Sequence, residues 1–215
     1  MESQSEIEGL SFIADKDMRI LSVGISTGGE AEIKMLRSNP DRTVVATTLD
    51  QEGLEKVRTK IEGTELSSRL ELRLEDIASE KLEYEENSFD FIYARLVLHY
   101  LSAQKLLVAL ASLHKILKHG GSIFVVVRSS DIAELKTTPF LEYDEDTCLT
   151  TYQNPSGGRA TRYFHTIESI SGALISSGFI IQKVDKFDEK LSPNFNRDSD
   201  IWVLNNVIEV LATKG

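Results

Sequence analysis

The sequence predicts a layered α/β fold built on one large sheet. Short apolar, β-branched segments alternate with stretches whose apolar residues recur at helical spacing. One such segment, residues 122–127, is apolar at nearly every position, as in a parallel strand covered on both faces. The last two segments, 179–187 and 202–213, are joined by a polar loop containing Pro193 and Asn194. No helix fits in that loop, so these two strands pair antiparallel.

Each element follows from local signals. Residues 19–25 read as a short buried strand, and Thr27, Gly28 and Gly29 then turn into a helix with Ala31 and Met35 on one face. Asn39, Pro40 and Asp41 stop that helix. Residues 43–49 form the second strand, closed by Asp50, and 51–61 a helix with Leu54, Val57 and Ile61 in register. A weaker third strand, 70–74, leads to Glu75, Asp76 and Ile77, and the fourth is 89–94. Ser102 caps the clearest helix, which carries Leu106, Leu110, Leu113 and Leu117 and ends at Gly120 and Gly121 before the fifth strand, 122–127. Residues 128–165 hold Pro139, Pro155, Gly157, Gly158 and several aromatics, and are too long for a plain connection. Thr166 caps a further helix carrying Ile167, Ile170 and Leu174, ended by Gly178 before the sixth strand. The chain divides into an N-terminal extension, 1–18, and one domain, 19–215, with 128–165 an insertion on the acceptor or lid side.

Charge and composition restrict the partners. The 215 residues carry 24 Lys and Arg against 34 Asp and Glu, a net charge of -10. That balance lacks the basic footprint of nucleic-acid binding and disfavours an anionic membrane. No apolar run approaches the roughly 20 residues that span a bilayer, and the polar N-terminus is no signal peptide. The single cysteine, Cys148, permits neither an internal disulfide nor a cysteine metal site, which suits the cytoplasm. No metal is expected.

Three features fall at the carboxyl ends of successive strands, where open α/β sheets bind ligands. The glycine turn from Gly24 to Gly29 lets backbone N–H groups approach a ligand closely. Asp50 follows the second strand, where a carboxylate accepts from both hydroxyls of a ribose. Asp76 follows the third, placed to accept from an adenine amine while Ile77 packs on the ring. In this order and spacing they describe an adenosine pocket.

The run 20–31, Asp50, the Glu75-Asp76-Ile77 segment and the run 87–101 together resemble class I S-adenosylmethionine-dependent methyltransferases. Residues 117–126, 162–166 and Gly178-Phe179 are similar to the small-molecule branch of that family. The resemblance implies a Rossmann-like, doubly wound, mostly parallel seven-stranded sheet with the last strand antiparallel and helices on both faces. It implies S-adenosyl-L-methionine as cofactor, held by Ser22, Gly24, Ser26, Thr27, Gly28, Asp50, Gln51, Asp76, Ile77, Ala94 and Arg95. Two positions depart from the family pattern, which usually has an acid where Ser22 stands and glycine where Ser26 stands.

The expected activity is methyl transfer to a small-molecule acceptor by in-line displacement. His99, just after the fourth strand, is the candidate general base. Tyr143, Arg159, Arg162, Tyr163 and His165 are candidates for holding the acceptor, the arginines as carboxylate ligands. The extension before Arg19 offers little material for a cap, so either the insertion or a second copy of the chain, as a homodimer, completes the acceptor side. Two alternatives remain at this point: a non-catalytic adenosyl-binding protein, motivated by Ser22 and Ser26, and an NAD-dependent oxidoreductase, motivated by the spacing of Gly24, Ser26 and Gly29.

Overall fold

The computed structural model describes residues 3–25, 28–79, 81–131, 135–136, 139–153, 158–191 and 202–215. The chain begins with α1 (Gln4–Ser11) and β1 (Arg19–Val23), then α2 (Glu30–Ser38), β2 (Thr43–Thr48), α3 (Gln51–Ile61) and β3 (Leu70–Leu74). It continues through β4 (Phe89–Arg95), α4 (Ala103–Ile116) and β5 (Leu117–Arg128). Three short strands follow, β6 (Phe140–Asp144), β7 (Leu149–Gln153) and β8 (Arg159–Arg162), then α5 (Ile167–Ser176), β9 (Phe179–Leu191) and β10 (Trp202–Lys214).

The main sheet has seven strands in the order β3-β2-β1-β4-β5-β10-β9. Neighbours from β3 to β5 pair parallel. β10 runs antiparallel to both β5 and β9, as expected for the last two strands. Side chains alternate between two layers along each strand. On β4, Phe91 and Tyr93 face the layer of α1, α2 and α3, while Ile92 and Ala94 face α4 and α5. Leu106, Leu110 and Leu113 of α4 are at most 1% exposed, and burying each contributes about 1.5–3 kcal/mol. The expected caps are present: Ser102 Oγ accepts from Lys105 N at 3.3 Å, and Thr166 forms a capping box with Ser169.

The structure corrects one expectation and adds to two others. First, the fifth strand starts at Leu117, not 122, and runs through Gly120 and Gly121. Gly120 takes a left-handed φ of +72°, and the pairing with β4 shifts register between Phe89 and Phe91. A Cβ at Gly121 would lie 2.9 Å from the Asp90 carbonyl, so glycine here serves close strand approach rather than helix termination. The carbonyls at the end of α4 are instead met by Lys214, whose Nζ donates to His114 O at 2.8 Å and Leu117 O at 2.9 Å. Second, residues 128–165 carry a separate antiparallel sheet, β6-β7-β8.

Third, the extension before Arg19 does form a packed helix. Gly9 of α1 lies against Phe124 and Tyr93, and the Phe12 and Phe124 rings are 5.8 Å apart. Ser5 N donates to Glu189 at 3.0 Å. Glu8 pairs with Lys183, which also meets Asp185 at 2.9 Å and Glu209 at 3.6 Å. Glu8, Asp185 and Glu209 are the one trio close enough to hold a metal ion among the described residues, and the Lys183 ammonium stands among them.

A methyl group on Gly9 would sit 2.3 Å from the buried Phe124 ring. Gly9→Ala therefore overpacks the interface by about 1–3 kcal/mol, against a helix-propensity gain of at most about 1 kcal/mol. The expected outcome is a lower urea midpoint; an unchanged or higher midpoint would show that α1 is not docked on the sheet.

Candidate functional site

A cavity of about 440 Å³ opens at the carboxyl ends of β1 to β4. Its floor is the turn after β1. Gly24 has φ +79°, and a Cβ there would meet Val97 at 2.6 Å. Both Gly24 N and Ile25 N donate to Thr47 O at 2.9 Å, which lashes the turn to β2. Gly24 and Ile25 line the cavity; Gly28 lies outside it, its carbonyl accepting from Lys60 Nζ at 2.9 Å. Ser26 and Thr27 lie outside the described residues.

Asp50, Glu75, Asp76 and Ile77 all line the same cavity, with Leu49 at its rim. Asp50 caps α3, its Oδ1 accepting from Gly53 N at 3.0 Å. Asp76 Oδ1 accepts from Ala78 N at 2.9 Å in a tight turn. Glu75 is engaged by the Tyr84 hydroxyl at 2.6 Å, so the two adjacent acids are distinguished: Glu75 is tied down by a side chain and Asp76 by backbone. Burial and the Glu75 carboxylate push the Tyr84 phenol up. Ile77 is 5% exposed and supplies an apolar wall.

Other residues expected around the cofactor point elsewhere. Ser22 is buried in the sheet and does not line the cavity; its Oγ donates to Glu32 Oε1 at 2.6 Å. Burial raises the Glu32 carboxyl above its usual range, with the Ser22 bond opposing. Ala94 is core, packed toward α4, and Gln51 is on the exposed first turn of α3, bonded to Glu55. Arg95 touches the cavity, but its guanidinium is spent on α1, where Nε donates to Ser5 Oγ at 2.6 Å and the other nitrogens meet Ser3 and Glu6.

The crossing from β4 to α4 forms the far wall. Leu96 has φ +54°, an uncommon conformation for a branched side chain, and it turns Val97, Tyr100 and Leu101 onto the cavity. His99 is not among the lining residues. It is 1% exposed and stacks on Tyr100 with ring centroids 4.7 Å apart. Burial first, then Arg128, Arg162 and His165, hold its pKa well below the usual value. The expected direct approach of His99 to an acceptor in this cavity is thus not what the structure places there.

The five acceptor candidates divide. His165 is buried beside Arg128, Tyr163 is half-buried with its ring 4.0 Å from that of His165, and Arg162 lies 4.0 Å over the Tyr100 ring. Tyr143 is exposed on β6 near Cys148 and Tyr163, and Arg159 is exposed on β8; neither lines the cavity. Sequence reasoning passed over Tyr100, Val97, Leu101 and Arg128. The signal available for Tyr100 was its place in the segment between strand four and Ser102, where any side chain crosses the sheet edge.

A methyltransferase-domain family model matches residues 21–125. Comparison with curated proteins finds no match. Among solved structures, the chain is similar to an S-adenosylmethionine-dependent methyltransferase from Methanosarcina mazei, at 15% identity and TM-score 0.71, with 95% of each chain covered. It is similar to a putative S-adenosylmethionine-dependent methyltransferase from Listeria monocytogenes, at 17% identity and TM-score 0.71, covering 98% of this chain and 97% of that one. It is also similar to the 1,6-didemethyltoxoflavin-N1-methyltransferase of Burkholderia thailandensis, solved with 1,6-didemethyltoxoflavin and S-adenosylhomocysteine. That likeness has 14% identity and TM-score 0.63, covering 98% of this chain and 78% of the other. At such identities these structures establish the shared fold.

Burial brings the His165 pKa down to about 3. The unfolded chain protonates this imidazole near pH 6.5, but the folded chain does not, so stability present above that pH is lost as pH falls toward 3. The slope is at most about 1.4 kcal/mol per pH unit for each such histidine. His165→Gln is expected to flatten the fall in unfolding free energy between pH 6.5 and 5, measured by urea titration; an unchanged acid slope would show that His165 titrates normally.

Proposed function

We propose methyl transfer to a small-molecule acceptor for this chain, which belongs to the class I S-adenosylmethionine-dependent methyltransferase family and takes S-adenosylmethionine as cofactor. The observation that carries the proposal is the convergence of Gly24, Asp50, Asp76 and Ile77 on one cavity. The residues fit an adenosyl group. The Gly24 position has no room for a Cβ even without a ligand, and carboxylates stand at the ends of β2 and β3 beside an apolar wall.

When bound, the cofactor supplies a methyl group on a sulfonium, which already carries its leaving group. The protein's share is therefore placement and exclusion of water. Asp50 accepts from the ribose hydroxyls, and its position is fixed by the cap on α3. Asp76 accepts from the adenine amine, and Ile77 packs on the ring. Val97, Tyr100 and Leu101 close the wall toward the acceptor. His99 stacks against Tyr100 and does not act as a base on the reacting atom of the acceptor.

Calorimetry with S-adenosylmethionine, S-adenosylhomocysteine and NAD tests the pocket: the two adenosyl ligands are expected to bind and NAD not to. Asp50→Asn keeps a competent helix cap but removes the charge, and is expected to cost about 1.5–3 kcal/mol of cofactor binding. Binding of NAD alone, or unchanged affinity in Asp50→Asn, would overturn the assignment.

A further inference from the structure

Behind the ring of Tyr100 lies a second polar group that an adenosyl ligand does not use. His99 Nδ1 is buried with no hydrogen-bond partner among the described residues. His165 is fully buried; its Nδ1 reaches Ser169 Oγ at 3.3 Å, and its Nε2 has no partner among the described residues. Arg162 Nε is buried without one as well, while its guanidinium covers the Tyr100 ring at 4.0 Å. Arg128, 7% exposed at the end of β5, donates to the Tyr152 hydroxyl at 3.2 Å. Backbone bonds lock these residues together: Tyr163 N donates to His99 O at 2.8 Å, and His165 N to Arg128 O at 2.9 Å.

Buried polar atoms in native proteins are almost always paired, and each orphan needs a physical reason. Here three orphaned nitrogens belong to one cluster, and the groups acting on His99 are two guanidiniums and an imidazole. A water molecule would satisfy a nitrogen but would bring no charge to the Arg162 guanidinium. An anion does both. A carboxylate also matches the planar fork of a guanidinium, and an imidazole N–H donates to it equally well. The chain as a whole carries a charge of -10 and repels acids, so an acidic ligand needs a local cationic seat of this kind.

We propose that the cluster of His99, Arg162 and His165 is the seat for the acid group of the methyl acceptor, which makes the substrate a small organic acid. The acceptor lies along Tyr100, with its reacting atom on the cavity side and its carboxylate or phosphate on the cluster side. The proposal rests on the methyltransferase reading of the cavity.

The test uses the whole protein loaded with S-adenosylhomocysteine, titrated with benzoate, phenyl phosphate and benzamide by calorimetry, and with histidine-ring nitrogen shifts followed by NMR. Benzoate or phenyl phosphate is expected to bind at least tenfold more tightly than benzamide and to move the His99 and His165 resonances. Tighter binding of benzoate identifies a carboxylate, and of phenyl phosphate a phosphate. Arg162→Gln is expected to weaken acid binding at least tenfold with unchanged S-adenosylhomocysteine affinity, and Arg162→Lys to weaken it less. Equal binding of acid and amide, or acid binding indifferent to Arg162→Gln, would overturn the proposal. So would ring resonances that stay still. Failure of S-adenosylhomocysteine to bind in the first step would instead strike the reading of the cavity; the same acid titrations on the unloaded protein then decide the acid seat by the same criteria.

Discussion

The Thr47 carbonyl accepts from both Gly24 N and Ile25 N, and the geometry of the site depends on that shared acceptor. It holds the end of β1 against β2 after the ladder itself has stopped. Only a residue without a Cβ passes there, because Val97 closes from the β4 side and φ is positive. The turn thus fixes three strand ends at once. Asp50 and Asp76 inherit their positions from it through β2 and β3, and Tyr100 inherits its place through Val97. A small perturbation at Gly24 would displace acids that it never touches.

The charge arrangement around β1 is the main surprise. Ser22 is buried in β1, at the position where the resemblance implies an acid. Here the carboxylate comes from α2 instead, as Glu32, and the serine hydroxyl donates to it. Glu6 of α1 and Arg95 of β4 join the same buried neighbourhood. Acidic character near the glycine turn is therefore supplied by two helices, α1 and α2, rather than by β1, and α1 is coupled to the site through Arg95.

The parts legible in the sequence were those set by local chemistry and by the alternation of strands. Gly24, Asp50, Asp76 and Ile77 reach the cavity because each follows a strand whose carboxyl end the topology brings to one edge. The antiparallel last pair was legible because the loop between the strands cannot hold a helix. What escaped was set by tertiary contact. Gly120 and Gly121 look like a helix stop, yet Asp90 O approaches Gly121 across the sheet and makes them part of a strand. His99 reads as a base beside the acceptor, but after the left-handed turn at Leu96 it is buried and Tyr100 is exposed. The three strands from β6 to β8 are short, and β6 is exposed along its whole length, so its apolar residues mark no buried face. The packing of α1 depends on Gly9, whose role is visible only once Phe124 is opposite it.

The placement of β10 bears on how the chain reaches its native state. β9 is synthesised first, yet β10 is its one neighbour in the main sheet, lying between it and β5. Until β10 is made, β9 has no strand of the main sheet to pair with. The final strand must thread into the gap and pair along both sides, from Val207 with Arg128 to Lys214 with Phe179. Until it does, a long edge stays open to chance pairing with other chains, which is the usual route from a folding intermediate to aggregation.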